Sequence, residues 1–293
     1  MRIAVVGAQG QLGAAVVDEL AAAHEVLPLA HGTLDVTSDH DVAAVMAKLR
    51  PDAIVNCAAF NDVDGAEDRP VDALSLNAFA VRALARAAAD LDGILVHYST
   101  DFVFDGKASS PYTEEDRPNP RSVYAASKLL GEWFAADAPR AYVLRVESLF
   151  GRVRGARDAK GSVAGILNTL IAGGAPRVFV DRTVSPTYIV DAAAATRQLI
   201  ERQAPFGLYH CVSSGHCTWL EFAQELARQL GLEARFAPMR MADVPMRAER
   251  PQYCALSNQK LQTVGIPLPT WQDALGRYLS TSRDDRAHQL ANS

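Results

Sequence analysis

Tyr124 and Lys128 stand four residues apart in a stretch with helical patterning. Residues at i and i+4 lie one turn apart on one helix face, so the ammonium of Lys128 can sit beside the phenol of Tyr124 and favour its ionised form. A phenol, with a pKa near about 10, is otherwise a poor proton donor or acceptor at neutral pH. Far upstream, Gly7-Ala8-Gln9-Gly10-Gln11-Leu12-Gly13 forms a GxxGxxG turn between the first strand and the first helix. Glycine lets the backbone turn tightly and approach a pyrophosphate, which then rests on the free N–H groups at a helix start. A dinucleotide cradle together with a Tyr-xxx-Lys acid points to a hydride-transferring enzyme.

The cradle assigns Gly7, Gln9, Gly10, Gln11, Leu12 and Gly13 to the cofactor. An acidic residue ending the second strand would accept from a ribose 2′-hydroxyl and repel a 2′-phosphate. Ala30 and His31 occupy that place, no carboxylate follows until Asp35, and Asp35 with Val36 is expected to line the cofactor. The balance tips toward NADP(H), with NAD(H) as the alternative and His31 as a phosphate neighbour; a plain surface-loop role for His31 is the competing reading.

These groups need a frame. Short β-branched runs at Ile3 to Val6, Glu25 to Leu29, Ala53 to Cys57, Ile94 to Tyr98 and Tyr142 to Val146 alternate with helical patterns. The helices are expected at Leu12 to Ala22, Asp39 to Lys48, Val71 to Asp90 and Tyr124 to Phe134. Strands that are apolar throughout are covered on both faces, which gives an α/β fold with a doubly wound parallel sheet. Residues 1–150 form the dinucleotide-binding domain, to which 177–203 return. A smaller, discontinuous lobe for substrate takes 151–176 and 204–282, with Thr218 capping a helix through Glu221, and 283–293 read as a disordered tail. The basic stretch Arg152, Arg154, Arg157 and Lys160 reads as a solvated loop, with a lid over the nucleotide as the alternative.

The 293 residues carry a formal charge of −5 with no basic stripe, which argues against nucleic acid or an anionic membrane as partner. The opening apolar run is cut at once by Gly7, Gln9 and Gly10, and the Ala-rich stretch from Ala78 to Leu91 is broken by Arg82, Arg86 and Asp90. A soluble, cytoplasmic protein is expected. Cys57, Cys211, Cys217 and Cys254 show no CxxC spacing and read as reduced thiols. His210-Cys211 and His216-Cys217 bring zinc-ligand types together, but neighbours on a strand point to opposite faces, so no metal is expected.

Five segments in order carry a family likeness: Asn56-Cys57-Ala58-Ala59, Val63 to Glu67, Ser99-Thr100-Asp101-Phe102-Val103-Phe104-Asp105-Gly106, Tyr124 to Glu132, and Val184 to Tyr188. Arg250-Pro251 and Ala255-Leu256-Ser257 extend it. The chain resembles the extended short-chain dehydrogenase/reductases, a Rossmann-type superfamily, and more closely the dTDP-4-dehydrorhamnose reductases; the run from Ser99 to Gly106 is the specific part. The resemblance implies NAD(P)H-dependent reduction of the 4-keto group of a dTDP-4-keto-6-deoxy sugar, in dTDP-rhamnose biosynthesis. Tyr124 would protonate the ketone oxygen, Lys128 would bind the nicotinamide ribose and lower the tyrosine pKa, Thr100 would hydrogen-bond the same oxygen, and Asn77 would complete the tetrad, or else merely satisfy a local kink. Asn56, Ala58 and Ala59 would line the cofactor. Some reductases of this type form dimers, so a homodimer is a further expectation.

Dehydratases of the superfamily place an Asp-Glu pair after the threonine; Asp101 is followed by Phe102, which favours simple reduction. Glu147-Ser148 stand where a tryptophan is common, leaving a different sugar open. Thr100, Asp101, Phe102 and Ser148 are expected at the substrate. Arg182 and Arg250 are candidates for its diphosphate, since guanidinium matches phosphate in bidentate geometry, a surface salt bridge being the other reading of Arg182. Two alternatives stand beside the leading one: a reductase or epimerase of another nucleotide sugar, and a dinucleotide-binding regulatory subunit like that of methionine adenosyltransferase.

Overall fold

The computed structural model describes residues 1–153 and 161–291. Six strands, β1 (Arg2–Val6), β2 (Glu25–Leu29), β3 (Ala53–Asn56), β4 (Ile94–Thr100), β5 (Ala141–Val146) and β6 (Gly207–His210), form one parallel sheet in the order β6-β5-β4-β3-β1-β2. The pleat explains why these strands are apolar throughout. Ile3 and Val5 of β1 face one core with Val55, Val96 and Leu144, whereas Ala4 and Val6 face another with Ile54, Leu95 and Val143.

Helices cover both faces. On one lie α1 (Gln11–Ala21) and, further along the chain, a helix at Ile189–Arg202; on the other lie α2 (Asp39–Leu49) and α3 (Ala80–Asp90). Ser38 caps α2 by accepting from the Asp41 amide, and Asp39 and Asp41 in its first turn meet the positive end of the helix dipole. The single helix expected over Val71 to Asp90 is instead Pro70–Leu74, a π turn at Ser75–Phe79, and α3. That widened turn sits where helix α4 (Val123–Ala136) presses closest: a Cβ on Gly131 would collide with the Asn77 carbonyl oxygen.

A lobe with its own core joins α5 (Ser162–Ile171), α7 (Trp219–Leu230) and α8 (Trp271–Ala291), α6 being the Ile189–Arg202 helix already placed on the sheet. The Thr218–Glu221 capping box forms as expected. Two domain boundaries move. Strand β6, from the segment assigned to the lobe, pairs with β5 in the main sheet, and Arg177–Phe179, assigned to the main domain, pairs with Ala237–Met239. Local patterning identifies a strand but not its sheet. Residues 283–291, expected as a disordered tail, continue α8; no glycine or proline interrupts the chain from Arg277 to Ala291. Among the described residues no helix is long and apolar enough to cross a membrane.

Candidate active site

Parallel pairing lines up the carboxyl ends of the strands. Val6 of β1 is level with Asn56 of β3, and Thr100 of β4 with Val146 of β5, so the residues just beyond each share one edge of the sheet. A cleft of about 440 Å³ opens there.

At one end it is lined by Gly10, Gln11 and Leu12, with Asn56, Ala58 and Ala59 opposite. Gly10 is the N-cap of α1 and supplies no side-chain cap, so the first-turn amides stay open to an anion. Gly7 and Gly13 act from behind the wall. Gly7 has φ +77°, and a Cβ on it would lie 2.7 Å from the Ala58 amide nitrogen; one on Gly13 would strike the Gly7 carbonyl oxygen. The glycines thus allow strand, loop and helix to close up, while Gln9 points to solvent. Gln11 also bridges to the lobe, its Nε2 donating to the Gly151 carbonyl at 2.8 Å. Asn56 holds the loop after β3: its Oδ1 accepts from the Ala58 amide at 3.1 Å, and its Nδ2 meets buried His97 at 3.2 Å. These features fit a dinucleotide: backbone can approach closely and open amides await its phosphates.

Three residues expected at the cofactor lie off this wall. His31 is exposed beyond β2, Asp35 accepts from the Thr37 amide and hydroxyl, and Val36 is buried in the core with Leu34. The hydrogen bonds from Thr37 hold the Asp35 carboxyl below its usual range. Asp35 therefore serves its own turn, and Val36 serves packing.

At the other end stand Thr100, Asp101, Phe102, Tyr124, Lys128, Ser148 and Arg182. Tyr124 and Lys128 share the inner face of α4, which Ser122 starts by accepting from the Ala125 amide. Lys128 Nζ donates to the Tyr98 carbonyl at 2.6 Å. Burial brings its pKa down to about 8, against the raising effect of Glu132 and Cys57. Burial pushes the Tyr124 phenol up, the Thr100 hydroxyl pulling it down and Asp101 pushing it further up. The expected lowering of the tyrosine by Lys128 is thus not what this arrangement shows, since the ammonium is turned to the strand. The phenol keeps its proton and is poised as a donor. Phe102 packs edge-on against the Tyr124 ring at 5.5 Å between centroids, and the Arg182 guanidinium lies 5.4 Å from the Phe102 centroid.

Asn77 does not reach the reacting groups. Its Oδ1 accepts from the Phe60 amide at 2.8 Å, and its Nδ2 donates to the Phe60 carbonyl and to Ser127 Oγ at 3.0 Å. Both polar atoms of its side chain are used in tying the loop after β3 to α4. Arg250 is also elsewhere: its two terminal nitrogens grip Asp64 at 2.9 and 2.7 Å, and this pairing holds the Asp64 carboxyl down to about 2. A guanidinium so engaged is not free for a diphosphate. Arg182 lines the cleft, half-buried, and shows no surface salt bridge among the described residues.

Glu147 is the cleft residue that sequence reasoning underrated. It lies one residue beyond β5, lines the cleft, and comes with Asp101 and Cys254 into a group whose ligand atoms are within 4.8 Å of one another. A second carboxyl therefore does reach Asp101, from the next strand rather than the next residue. The available signal was its position, an acid at the carboxyl end of a buried strand. Arg182 supplies positive charge to all three groups. His210 and Cys211 point apart: Cys211 enters the sheet core, and His210 lies by Arg145 and the Ser257 carbonyl, while Cys217 belongs to the lobe core. Of the basic stretch, Arg154, Arg157 and Lys160 lie outside the described residues.

The family model described as the RmlD substrate binding domain matches residues 1–283. A probable dTDP-4,6-dihydroxy-2-methyloxan-3-one 4-ketoreductase of Streptomyces antibioticus is 37% identical over 286 residues, covering 94% of this chain and 93% of the relative. Among solved structures, a dTDP-4-dehydrorhamnose reductase of Clostridium acetobutylicum superposes with a TM-score of 0.91 at 33% identity, covering 97% of this chain and 100% of that one. One from Bacillus anthracis, in complex with NADP, gives 0.89 at 29% identity, covering 96% and 99%.

Proposed function

Since the chain belongs to the RmlD family, whose relatives include dTDP-4-dehydrorhamnose reductases, we propose that it reduces the 4-keto group of a dTDP-4-keto-6-deoxy sugar with NADPH, in dTDP-rhamnose biosynthesis. The observation that carries this is the meeting of Thr100, Tyr124 and Lys128 in one cleft with the open start of α1. Bound NADPH would supply the hydride. Tyr124, with its proton retained, donates to the carbonyl oxygen as negative charge develops there, and Thr100 gives that oxygen a second hydrogen bond. Lys128 would hold the nicotinamide ribose, and its charge beside the site would ease reprotonation of Tyr124. Arg182 balances the diphosphate of the substrate.

The absence of a carboxylate directly after β2, and the NADP bound by the Bacillus anthracis relative, support NADPH over NADH. One alternative substrate has a specific observation behind it. The Streptomyces relative is named for a 4-keto sugar with one ring hydroxyl fewer, so a 2-deoxy sugar is the second reading. The reading places the work in the cytoplasm, on a diffusible nucleotide sugar, with a homodimer as the assembly to be checked by light scattering.

The purified protein is mixed with NADPH, and separately NADH, and each dTDP-4-keto-6-deoxy sugar, and loss of reduced nicotinamide is followed with product identification. Substrate-dependent oxidation that drops by about 10²- to 10⁴-fold in Tyr124→Phe, with dinucleotide binding kept, is the expected result. Unchanged turnover in that variant would sink the mechanism, and tight dinucleotide binding with no turnover on any ketone would favour a binding subunit.

A further inference from the structure

Glu147 has no part in the chemistry above, yet it is among the most firmly held residues of the cleft. Its amide donates to Thr187 Oγ1 at 3.2 Å, its carbonyl accepts from the Thr187 amide at 3.1 Å, and its Oε2 accepts from the Ser185 amide at 2.6 Å. Ser148, the next residue, lines the cleft in a left-handed conformation at φ +44°, which a non-glycine residue adopts at a cost. The residue is thus fixed at its amide, its carbonyl and one carboxyl oxygen, beside a strained turn.

Among the described residues its other oxygen, Oε1, has no hydrogen-bond partner, and neither has Asp101 Oδ2, although both residues are only 2% exposed. Unpartnered polar atoms at that depth are unusual in a settled core. Two carboxyls this close, with Arg182 as the cation facing them, favour a state with one proton and one negative charge. Burial pushes both carboxyls up, Asp101 to about 6 and Glu147 well above its usual range, so the pair together is poised to hold one proton. A neutral carboxyl can both donate to and accept from an alcohol.

The pair begins at the residue next to Thr100, whose hydroxyl donates to Asp101 Oδ1 at 3.0 Å and would turn from it to the ketone oxygen of a bound sugar. A group reaching the pair from a ketone held by Thr100 and Tyr124 is a hydroxyl on a nearby ring carbon. We propose that Glu147, paired with Asp101, is the specificity-determining residue through which this cleft recognises a ring hydroxyl close to the sugar's reacting carbonyl. The inference rests on the reductase reading above.

The test measures kcat/KM with NADPH for a dTDP-4-keto-6-deoxyhexose and for its 2-deoxy and 3-deoxy counterparts, in the wild type, Glu147→Gln and Glu147→Ala. The readout is the hydroxy-to-deoxy ratio within each protein, which a general loss of stability leaves alone. A site built to hydrogen-bond a hydroxyl discriminates strongly against its absence, by as much as about 10⁴- to 10⁵-fold. At one ring position the ratio is expected to fall at least about tenfold in Glu147→Ala, with Glu147→Gln nearer the wild type. Should the alanine variant fail to fold, Glu147→Asp, one methylene shorter, supplies the ratio. Ratios unchanged at both positions in every variant overturn the inference while leaving the reductase intact. A product that has lost water also overturns it, giving the pair an acid/base role. No turnover of any of these sugars by the wild type overturns the reductase reading, and the inference with it.

Discussion

The Lys128 ammonium donates to the main-chain carbonyl of Tyr98 at 2.6 Å, fastening α4 to β4 two residues before Thr100. The bond sets the spacing between the helix that carries Tyr124 and the strand end that carries Thr100. It also leaves a charged amine in a buried place, where desolvation brings its pKa down to about 8. The ammonium is present below that pH and is lost above it. We expect kcat/KM to hold near neutrality and to fall by about tenfold per unit well above pH 8, as one proton is lost. Lys128→Met should be low at every pH and lack that limb. A pH-rate profile of both proteins checks this.

Asn77 joins the Phe60 backbone to Ser127 on α4. Asn77→Ala would leave the part-buried Phe60 amide without its acceptor, a loss of about 1–3 kcal/mol. Urea denaturation should show that loss. The accompanying fall in kcat should exceed any rise in KM, because the residue places Tyr124 and touches no ligand.

Beneath the site, Arg145 holds Glu132 through bonds of 2.8 and 2.7 Å, and Glu132 also accepts from Ser99. Removing one member of a buried pair strands the other charge, so Glu132→Ala is expected to cost about 3–5 kcal/mol. A conservative Arg145→Lys exchange should not restore the wild-type melting temperature, since the two-pronged geometry goes with the guanidinium.

Arg182 and Arg250 should separate in kinetics. Arg182→Ala is expected to raise the KM for the nucleotide sugar at least about tenfold, the range for a charged hydrogen-bonding partner. Arg250→Ala, which loses the pairing with Asp64 and a bond to the Ala248 carbonyl, should leave that KM within about twofold while lowering the thermal midpoint. Equal effects on KM would refute this division of roles.

Most of the frame was legible in the chain itself. Apolar runs and helical spacing give the five strands from β1 to β5 nearly to the residue, and Thr218 with Glu221 marks the start of α7. The π turn at Ser75–Phe79 was not legible, because it packs against Gly131 of another helix, an approach that only the folded chain brings about. The surroundings of Asn77, Arg250 and Val36 are hidden in the sequence for a related reason. Each has a residue type suited to the site, or a place in the motif order, but its partner is a distant segment: Arg250 meets Asp64 across 186 residues.

What the sequence determined by itself is the chemistry that is local: the glycine turn, Tyr124 and Lys128 one helical turn apart, Thr100 at the end of a buried strand. Those relations follow from the period of a helix, the alternation of a strand and the freedom of a glycine, all set within a few residues. Tertiary structure alone decided which strand ends meet. Pairing Thr100 with Val146 brings Glu147 beside Asp101, and packing turns Lys128 to the Tyr98 carbonyl. Register and burial are settled by the whole core at once, so the second carboxyl of the cleft exists only in the folded chain.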